Sequence, residues 1–159
     1  MRNFEKVSIE EFSKYFDPAL YNDYKLPERK TKYSAGYDFS AILDITLKSG
    51  EKKMIPTGIK AVFENDETLL LVVRSSLGVK YDLRMCNQVG VIESDYYNNI
   101  DNEGHMFICL KNEGTEDFTI KKGTSIVQGI FTKFLTCGDE PENIRKGGFG
   151  STEKEGELK

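Results

Sequence analysis

From Ala35 onward the chain consists of short apolar runs separated by Gly, Asn, Asp and Pro residues. Seven of these runs predict β-strands, namely YDFSAI, MIPTGIKAVF, TLLLVVR, VGVIES, HMFICLKN, FTIKKG and SIVQGIFTKF. TLLLVVR and SIVQGIF are almost continuously apolar, which is typical of strands that are covered on both faces. Many short strands with turn residues between them predict an all-β sandwich or barrel.

The region before these strands has a different pattern. Residues 8–16, SIEEFSKYF, combine a Ser8 cap, an acid three residues later and apolar residues at helical spacing, and so predict a short helix. Residues 17–34 are polar and contain two prolines, which predicts a surface loop. The glycine-rich and then charged tail, 145–159, cannot bury much surface alone, and we expect either a frayed terminus or a flap that orders over a ligand.

Composition narrows the classes of function. A chain of 159 residues fits one domain. Its net charge of −4 argues against broad nucleic-acid binding, and no apolar run approaches the length of a membrane span. The single His105 cannot build a histidine metal cluster or a conventional Ser-His-Asp triad, and we expect it to be structural. The cysteines lack CxxC spacing and are expected to be buried thiols: Cys86, Cys109 and Cys137.

Five polar stretches interrupt or follow the predicted strands: AGYDFSA (35–41), RSSLG (74–78), NQVGVIESDYYNN (87–99), GTSIVQGIF (123–131) and RKGGFGST (145–152). Each stretch is weak evidence by itself. Their order and spacing closely resemble the five motifs of the homotrimeric dUTP pyrophosphatases (dUTPases), and the resemblance covers about residues 32 to 152.

The resemblance implies a distorted jelly-roll-like β-barrel that assembles as a homotrimer. It implies an N-terminal extension over 1–30, a barrel domain over 31–144 and a mobile lid over 145–159. The implied reaction is hydrolysis of dUTP to dUMP and pyrophosphate by a cytoplasmic enzyme. Mg²⁺ is the implied cofactor, held through the triphosphate and waters without direct protein ligands. No membrane or nucleic-acid partner is expected.

For the phosphate end of the site, the resemblance assigns residues from three motifs. It places Ser75 at the bridge between the α- and β-phosphates, with Arg74 and Ser76 binding the phosphate chain. Arginine and hydroxyl groups at a strand end can donate several hydrogen bonds to phosphate. Asp38 corresponds to the acid near the metal–phosphate centre, and Gln128 to the glutamine that contacts the α-phosphate region. The structural alternatives are a capped strand end for RSSLG and a satisfied core amide for Gln128.

For the base and the attacking water, the resemblance points to the third motif. Glu93 falls where the family has an aspartate that activates water, and Asp95 is expected to be a structural acid. A carboxylate can accept the proton of water, but the extra methylene moves the carboxylate by about one C–C bond, a displacement that can cost on the order of a hundredfold in rate. Asn87 and Gly90 are assigned to the uracil site, together with backbone groups of the loop through residues 98–105. Tyr96 matches the tyrosine whose ring packs under the deoxyribose.

The fifth motif corresponds to the lid. Its glycines let the backbone approach phosphate. The residues that the resemblance assigns to substrate binding here are Arg145, Phe149, Gly150, Ser151 and Thr152, with Lys146 as an alternative to the arginine.

Two other functions are compatible with the sequence. Because Glu93 replaces the family aspartate, the chain could instead be a slowed dUTP-binding sensor or regulatory protein. The related dCTP deaminases share the fold, but GGFGST and the third motif are closer to the pyrophosphatases. Turnover of dUTP separates the enzyme from the slowed sensor. Deamination of dCTP tests the deaminase alternative.

Overall fold

The computed structural model describes residues 1–138 of the chain. Within this range the strands and α-helices, in chain order, are β1 Asn3–Lys6, α1 Ile9–Phe12, β2 Tyr37–Ser40, β3 Ile45–Leu47, β4 Lys52–Pro56, β5 Ile59–Val62, β6 Glu67–Val73, α2 Ser75–Tyr81, β7 Leu83–Met85, β8 Gly90–Glu93, β9 Phe107–Asn112, β10 Phe118–Ile120 and β11 Ser125–Lys133. Single turns of 3-10 helix add Pro18–Leu20 and Ser94–Tyr96.

The strands form four small antiparallel sheets. The largest has the order β2-β11-β6-β8, a second has the order β4-β9-β7, and two-stranded pairs join β1 to β5 and β3 to β10. The predicted all-β, jelly-roll-like class with a short N-terminal helix is confirmed. Assembly as a homotrimer stays a prediction.

The two nearly continuous apolar runs form the centre of the largest sheet. β11 and β6 pair from Val127↔Val73 to Lys133↔Glu67. Leu69 and Leu71 on β6 are completely or almost completely buried. Both residues lie on one face of β6, whereas Leu70 and Val72 on the opposite face are only half-buried, so within one chain the prediction that both faces are covered was wrong for this strand. At Gly129 an added Cβ would lie 2.9 Å from the Phe39 ring, so the glycine lets β11 pack closely against β2.

The N-terminal helix is shorter than the predicted span of 8–16. Ser8 caps it as predicted, because its side-chain oxygen accepts a hydrogen bond from the Glu11 amide at 3.1 Å. The helix ends at Phe12, and the Ser13 hydroxyl donates to the Ile9 carbonyl at 2.6 Å. Beyond this point the backbone bonds change from i−4 to i−3, since the Lys14 amide donates to the Glu11 carbonyl and the Tyr15 amide to the Phe12 carbonyl.

Several elements were not predicted because they are too short to produce a periodic pattern. They are the three- and four-residue strands β1, β3 and β7 and the helix α2. β1 extends the fold to the start of the chain, since Phe4 pairs with Ala61 of β5 and is buried.

The prediction for the cysteines was wrong. Cys137 is exposed, and Cys86 and Cys109 are only half-buried. In residues 1–138 no helix is both long and apolar enough to span a membrane.

Candidate active site

Residues from three distant parts of the sequence meet at one end of the largest sheet. Asp38 on β2 lies directly opposite Gln128 on β11, and Gln128 lies opposite Val72 on β6. β6 ends one residue later at Val73, so Arg74 and Ser75 follow at the same end. The antiparallel register thus brings the first, second and fourth predicted motifs together.

Asp38 and Arg74 form an ion pair at this end of the sheet. The Arg74 Nε atom lies 3.5 Å from Asp38 Oδ1, and the Asp38 side chain is buried while that of Arg74 is 39% exposed. Among the described residues, Asp38 Oδ2 is buried without a hydrogen-bond partner. A buried carboxylate oxygen normally has a partner, so this atom is suited to bind a polar ligand.

Gly36 makes room for the side chain of Gln128. A Cβ added at Gly36 would overlap Gln128 Oε1 and lie 3.0 Å from its Cβ and Cδ atoms. Any larger residue at position 36 would therefore displace the glutamine amide. The AGYDFSA stretch thus contributes through its glycine as well as through its acid.

These groups line a cavity of about 220 Å³. Arg74, Ser75, Asp38 and Gln128 contribute to its wall, and Ser76 is exposed beside Ser75 at the start of α2. The combination of a cation, a hydroxyl, an amide and a carboxylate suits a phosphorylated ligand.

The sequence reading missed two residues of this cavity, Lys30 and Ser34. Lys30 adds a second cation and pairs with Glu28 at 2.5 Å, which holds the pKa of the Glu28 carboxyl below its usual value. Both lie in the segment predicted to be a surface loop. An antiparallel β-bridge between Glu28 and Asp38 places this segment against β2. The sequence could not indicate this contact, because a polar loop has no periodic pattern of apolar residues. The basic run RKTK, 29–32, was the available hint.

A second group of predicted site residues surrounds the connection from β7 to β8. Asn87 is exposed in this connection, and Gly90 begins β8. Both line a small cavity of about 60 Å³ that also contains Cys109. A Cβ at Gly90 would lie 3.1 Å from Leu71 Cβ, so the glycine allows β8 to approach β6 closely.

Hydrogen bonds to its hydroxyl group hold the Tyr96 side chain in place. The side chain is buried, its hydroxyl donates to the His105 carbonyl at 3.0 Å, and it accepts a hydrogen bond from Asn102 Nδ2 at 2.9 Å. The loop that follows is bonded largely to itself, since Asn99 Nδ2 also donates to Asn102 Oδ1 at 2.9 Å. Asn102 and the His105 carbonyl therefore hold the Tyr96 hydroxyl. The assignment of the 98–105 backbone and of the exposed Asn87 to the base stays a prediction.

His105 is structural, as expected. It is fully buried, its Nδ1 lies 3.0 Å from Glu11 Oε1, and its Nε2 accepts a hydrogen bond from the Gly58 amide at 2.8 Å. Burial lowers the pKa of His105, and the Gly58 bond requires an unprotonated Nε2. Glu103 also joins this region to the N-terminal segment by accepting from the Ser8 amide and hydroxyl.

Glu93 lies far from the phosphate-type cavity within one chain. It ends β8, its side chain is exposed, and it pairs with Thr68 near the start of β6. Arg74 follows the other end of β6. Thr68 and Val73 are five residue steps apart along β6, which is about 16 Å at the usual strand rise. A single chain therefore holds the predicted site residues in two separate groups.

The residues assigned to the lid, Arg145, Phe149, Gly150, Ser151 and Thr152, lie outside the described residues, as does the predicted 145–159 segment.

Comparison with known proteins identifies the family. The dUTPase family model matches residues 22–153. The deoxyuridine 5'-triphosphate nucleotidohydrolase of Lactococcus lactis subsp. lactis (strain IL1403) is 48% identical over 130 residues, which cover 80% of this chain and 87% of that protein. The protein of the same name from Rickettsia akari (strain Hartford) is 38% identical over 135 residues, with the same coverage. The crystal structure of dUTPase from Streptococcus mutans is similar with a TM-score of 0.71 and 37% identity, and covers 86% of this chain and 99% of that one. With the ordered motifs and this fold, these matches show that the chain belongs to the dUTPase family.

Proposed function

We propose that this protein hydrolyses dUTP to dUMP and pyrophosphate. The observation that carries the proposal is the convergence of Asp38, Arg74, Ser75 and Gln128 on one cavity, from three separate stretches of a dUTPase-family chain. In the cell this reaction would limit uracil entry into DNA and supply dUMP, and we assign it to the cytoplasm.

In this mechanism the phosphate chain lies against the Arg74 group. The Arg74 guanidinium and the Ser75 and Ser76 hydroxyls donate hydrogen bonds to phosphate oxygens and gather the charge that develops there. The Gln128 amide orients the α-phosphate, in the space that Gly36 leaves. Lys30 on the cavity wall adds positive charge at the distal phosphates.

Mg²⁺ is the cofactor in this proposal. Oxygen atoms are the ligands that Mg²⁺ prefers, and it is usually held by substrate phosphates and water with one or two carboxylates. The buried Asp38 Oδ2 has no hydrogen-bond partner within residues 1–138 and can accept a hydrogen bond from the water shell of the ion. The negative charge of Asp38 suits a cation held in this way. When bound, the ion would neutralise triphosphate charge.

Glu93 is the proposed general base that accepts the proton of the attacking water. A base must come within hydrogen-bond reach of that water, about 3 Å. The separation of about 16 Å along β6 exceeds this reach. We therefore propose that Glu93, Asn87 and Tyr96 of one chain act on a nucleotide whose phosphates are bound by the Arg74 group of another chain. This arrangement fits the homotrimer that the family resemblance implies.

Specificity in the proposal comes from the third motif and the lid. A ring at Tyr96 that packs under the deoxyribose would exclude a 2′-hydroxyl by steric clash. Asn87 offers both a donor and an acceptor to the base edge, and a cytosine would leave buried groups unpaired. The residues assigned to the lid, including Phe149 and Arg145, would cover the bound nucleotide.

The test is pyrophosphate release from dUTP, with UTP, dTTP and dCTP as competing substrates, in the presence of Mg²⁺. We expect selective turnover of dUTP. The Glu93→Gln variant should lose it, and Asp95→Asn, which removes the neighbouring exposed acid, should retain it. Absence of pyrophosphate release, or deamination of dCTP, would contradict the proposal.

The Glu93→Asp variant separates an enzyme from a sensor. If the natural chain and this variant turn over dUTP at similar rates, Glu93 is a working base. If dUTP binds tightly to the natural chain but only the aspartate variant is fast, the glutamate slows the chemistry and the sensor function is favoured. The second result would replace the enzyme proposal.

A further inference from the structure

Two of the three cysteines face each other across neighbouring strands. Cys86 directly follows β7, and Cys109 lies in the middle of β9. The register Met85↔Leu110 makes Cys86 and Cys109 the next pair, and the Cys86 amide donates to the Cys109 carbonyl at 2.8 Å. The two sulfur atoms are 3.0 Å apart, and both thiols are free and half-buried.

This arrangement is compatible with a disulfide bond after a small local approach of the two strands. Opposite residues in a hydrogen-bonded antiparallel pair have Cα atoms about 5.5 Å apart, and disulfides span Cα separations of about 4.4 to 6.8 Å. The sulfur atoms need to approach by only about 1 Å to reach bonding distance. Because the Cβ atoms of opposite strand residues lie about 4.5 to 5.5 Å apart and those of a disulfide about 3.5 to 4.5 Å apart, part of this movement comes from the backbone beside Cys86.

The two thiols have different chemical characters. The Cys109 thiol donates a hydrogen bond to the Cys86 sulfur, and burial together with this bond raises the pKa of Cys109 to about 11. Cys109 therefore keeps its proton at neutral pH. Since the thiolate is the nucleophile, Cys86 is the better placed sulfur for a first attack, and Cys109 is the thiol that completes the exchange.

The pair adjoins the part of the molecule assigned to the nucleotide base. Cys109 lines the cavity of about 60 Å³ that also contains Asn87 and Gly90. Cys86 immediately precedes Asn87 in the chain. A covalent bond from Cys86 to β9 would therefore draw the start of the β7–β8 connection towards β9 and shift Asn87.

We propose that Cys86 and Cys109 are a modification site, in which a low-molecular-weight disulfide such as oxidised glutathione oxidises the two thiols to an intramolecular disulfide that weakens nucleotide binding. The Cys86 thiolate attacks the oxidant, forms a mixed disulfide and releases one thiol. The Cys109 sulfur then gives up its proton to solvent, attacks the Cys86 sulfur and releases the second thiol. Two protein thiols are oxidised, and one small disulfide is reduced to two thiols.

The part of this inference that concerns the nucleotide rests on the proposed function, whereas the disulfide itself does not. The experiment starts from Cys137→Ser, which removes the exposed thiol that belongs to neither cavity. This protein, and versions that also carry Cys86→Ser or Cys109→Ser, are incubated with oxidised glutathione. Peptide mass mapping and the KM for dUTP are then measured before and after oxidation, and again after reduction by dithiothreitol.

We expect a peptide that links Cys86 to Cys109, with the loss of two hydrogens and no retained glutathione. The KM for dUTP should rise about tenfold on oxidation, since displacements near 1 Å at a binding site have effects of this order or larger, and should return on reduction. Neither serine variant should show a reversible change of this kind.

A stable glutathione adduct without an internal bridge would overturn the inference, as would a bridge that leaves the KM unchanged. Failure of the proposed reaction is distinguishable, because the reduced protein would then release no pyrophosphate while the mass map still reports the bridge. In that event the affinity for dUMP, measured by calorimetry in both redox states, takes the place of the KM.

Discussion

The separation of Glu93 from the Arg74 group leads to a complementation experiment. Asp38→Asn removes the acid of the phosphate-binding cavity, and Glu93→Gln removes the proposed base, with little change of side-chain size in either case. Because both residues are required for turnover in the proposed mechanism, each variant should be inactive alone. About 16 Å of strand lies between the two groups in one chain, so the two residues can act on the same nucleotide only if different chains supply them.

The fraction of activity that should return in a mixture of the two variants follows from this geometry. In a symmetric assembly formed from equal amounts of the two variants, half of the chains carry an intact Asp38 and the other half an intact Glu93. A site that takes one residue from each of two chains is then intact in about a quarter of cases, so about a quarter of the natural activity should return.

The two variant chains are co-expressed with the same tag, purified together and assayed for pyrophosphate release from dUTP. The matched control combines Asp38→Asn with Ser75→Ala. These residues line the same cavity of one chain, so every site in that mixture has one defect and no activity should return. The reasoning is refuted if the first mixture stays inactive, or if both mixtures recover equally.

Three further predictions concern packing and the buried histidine. Gly36→Ala should displace the Gln128 amide and lower kcat/KM for dUTP at least tenfold, whereas Gly78→Ala, whose added Cβ meets only ordinary contacts, should lower it much less; steady-state kinetics compare the two. Glu11→Ala leaves the buried His105 donor unpaired and should lower the free energy of unfolding by about 1–3 kcal/mol in urea titrations at pH 7.5, and an unchanged urea midpoint would contradict this. Because the pKa of His105 is lowered in the folded chain, the unfolded chain binds this proton more readily. The contribution of His105 to the free energy of unfolding should therefore be fully present above about pH 6.5 and decline as the pH falls below it. The His105→Gln variant, less stable at pH 7.5, should lose less of its free energy of unfolding between about pH 7.5 and 5.5.

The local signals in the sequence were sufficient for the β class and for most of the strands. Alternation of apolar and polar residues is a local property, and so are the turn residues between strands. For the same reason the position of Ser8 as the helix cap could be predicted, while the end of α1 could not. That end is a change from i−4 to i−3 backbone bonds at Lys14 and Tyr15, which has no periodic signature in the sequence.

Part of the candidate site could also be predicted from the sequence. Asp38, Arg74 and Gln128 follow or lie within apolar strands, in motifs whose order resembles one family. The motifs could not indicate that Lys30 and Ser34 complete the same cavity, because the contact depends on how a polar loop returns to β2. Nor could the motifs indicate that the loop after Tyr96, which sequence reasoning assigned to the base, also binds the Tyr96 hydroxyl and docks the N-terminal segment.

The sequence by itself determined which residues have chemically useful side chains and which strands carry them, because strand formation and side-chain chemistry are set within a few neighbouring residues. Only the tertiary structure decided which of these residues meet. The register of β2, β11 and β6 brings Asp38, Gln128 and Arg74 to one end of a sheet, while the pairing of β8 with β6 leaves Glu93 at the other. The pairing of β7 with β9 likewise brings together two cysteines that lie 23 residues apart in the chain. Such contacts depend on strand order and register, which a one-dimensional pattern does not contain.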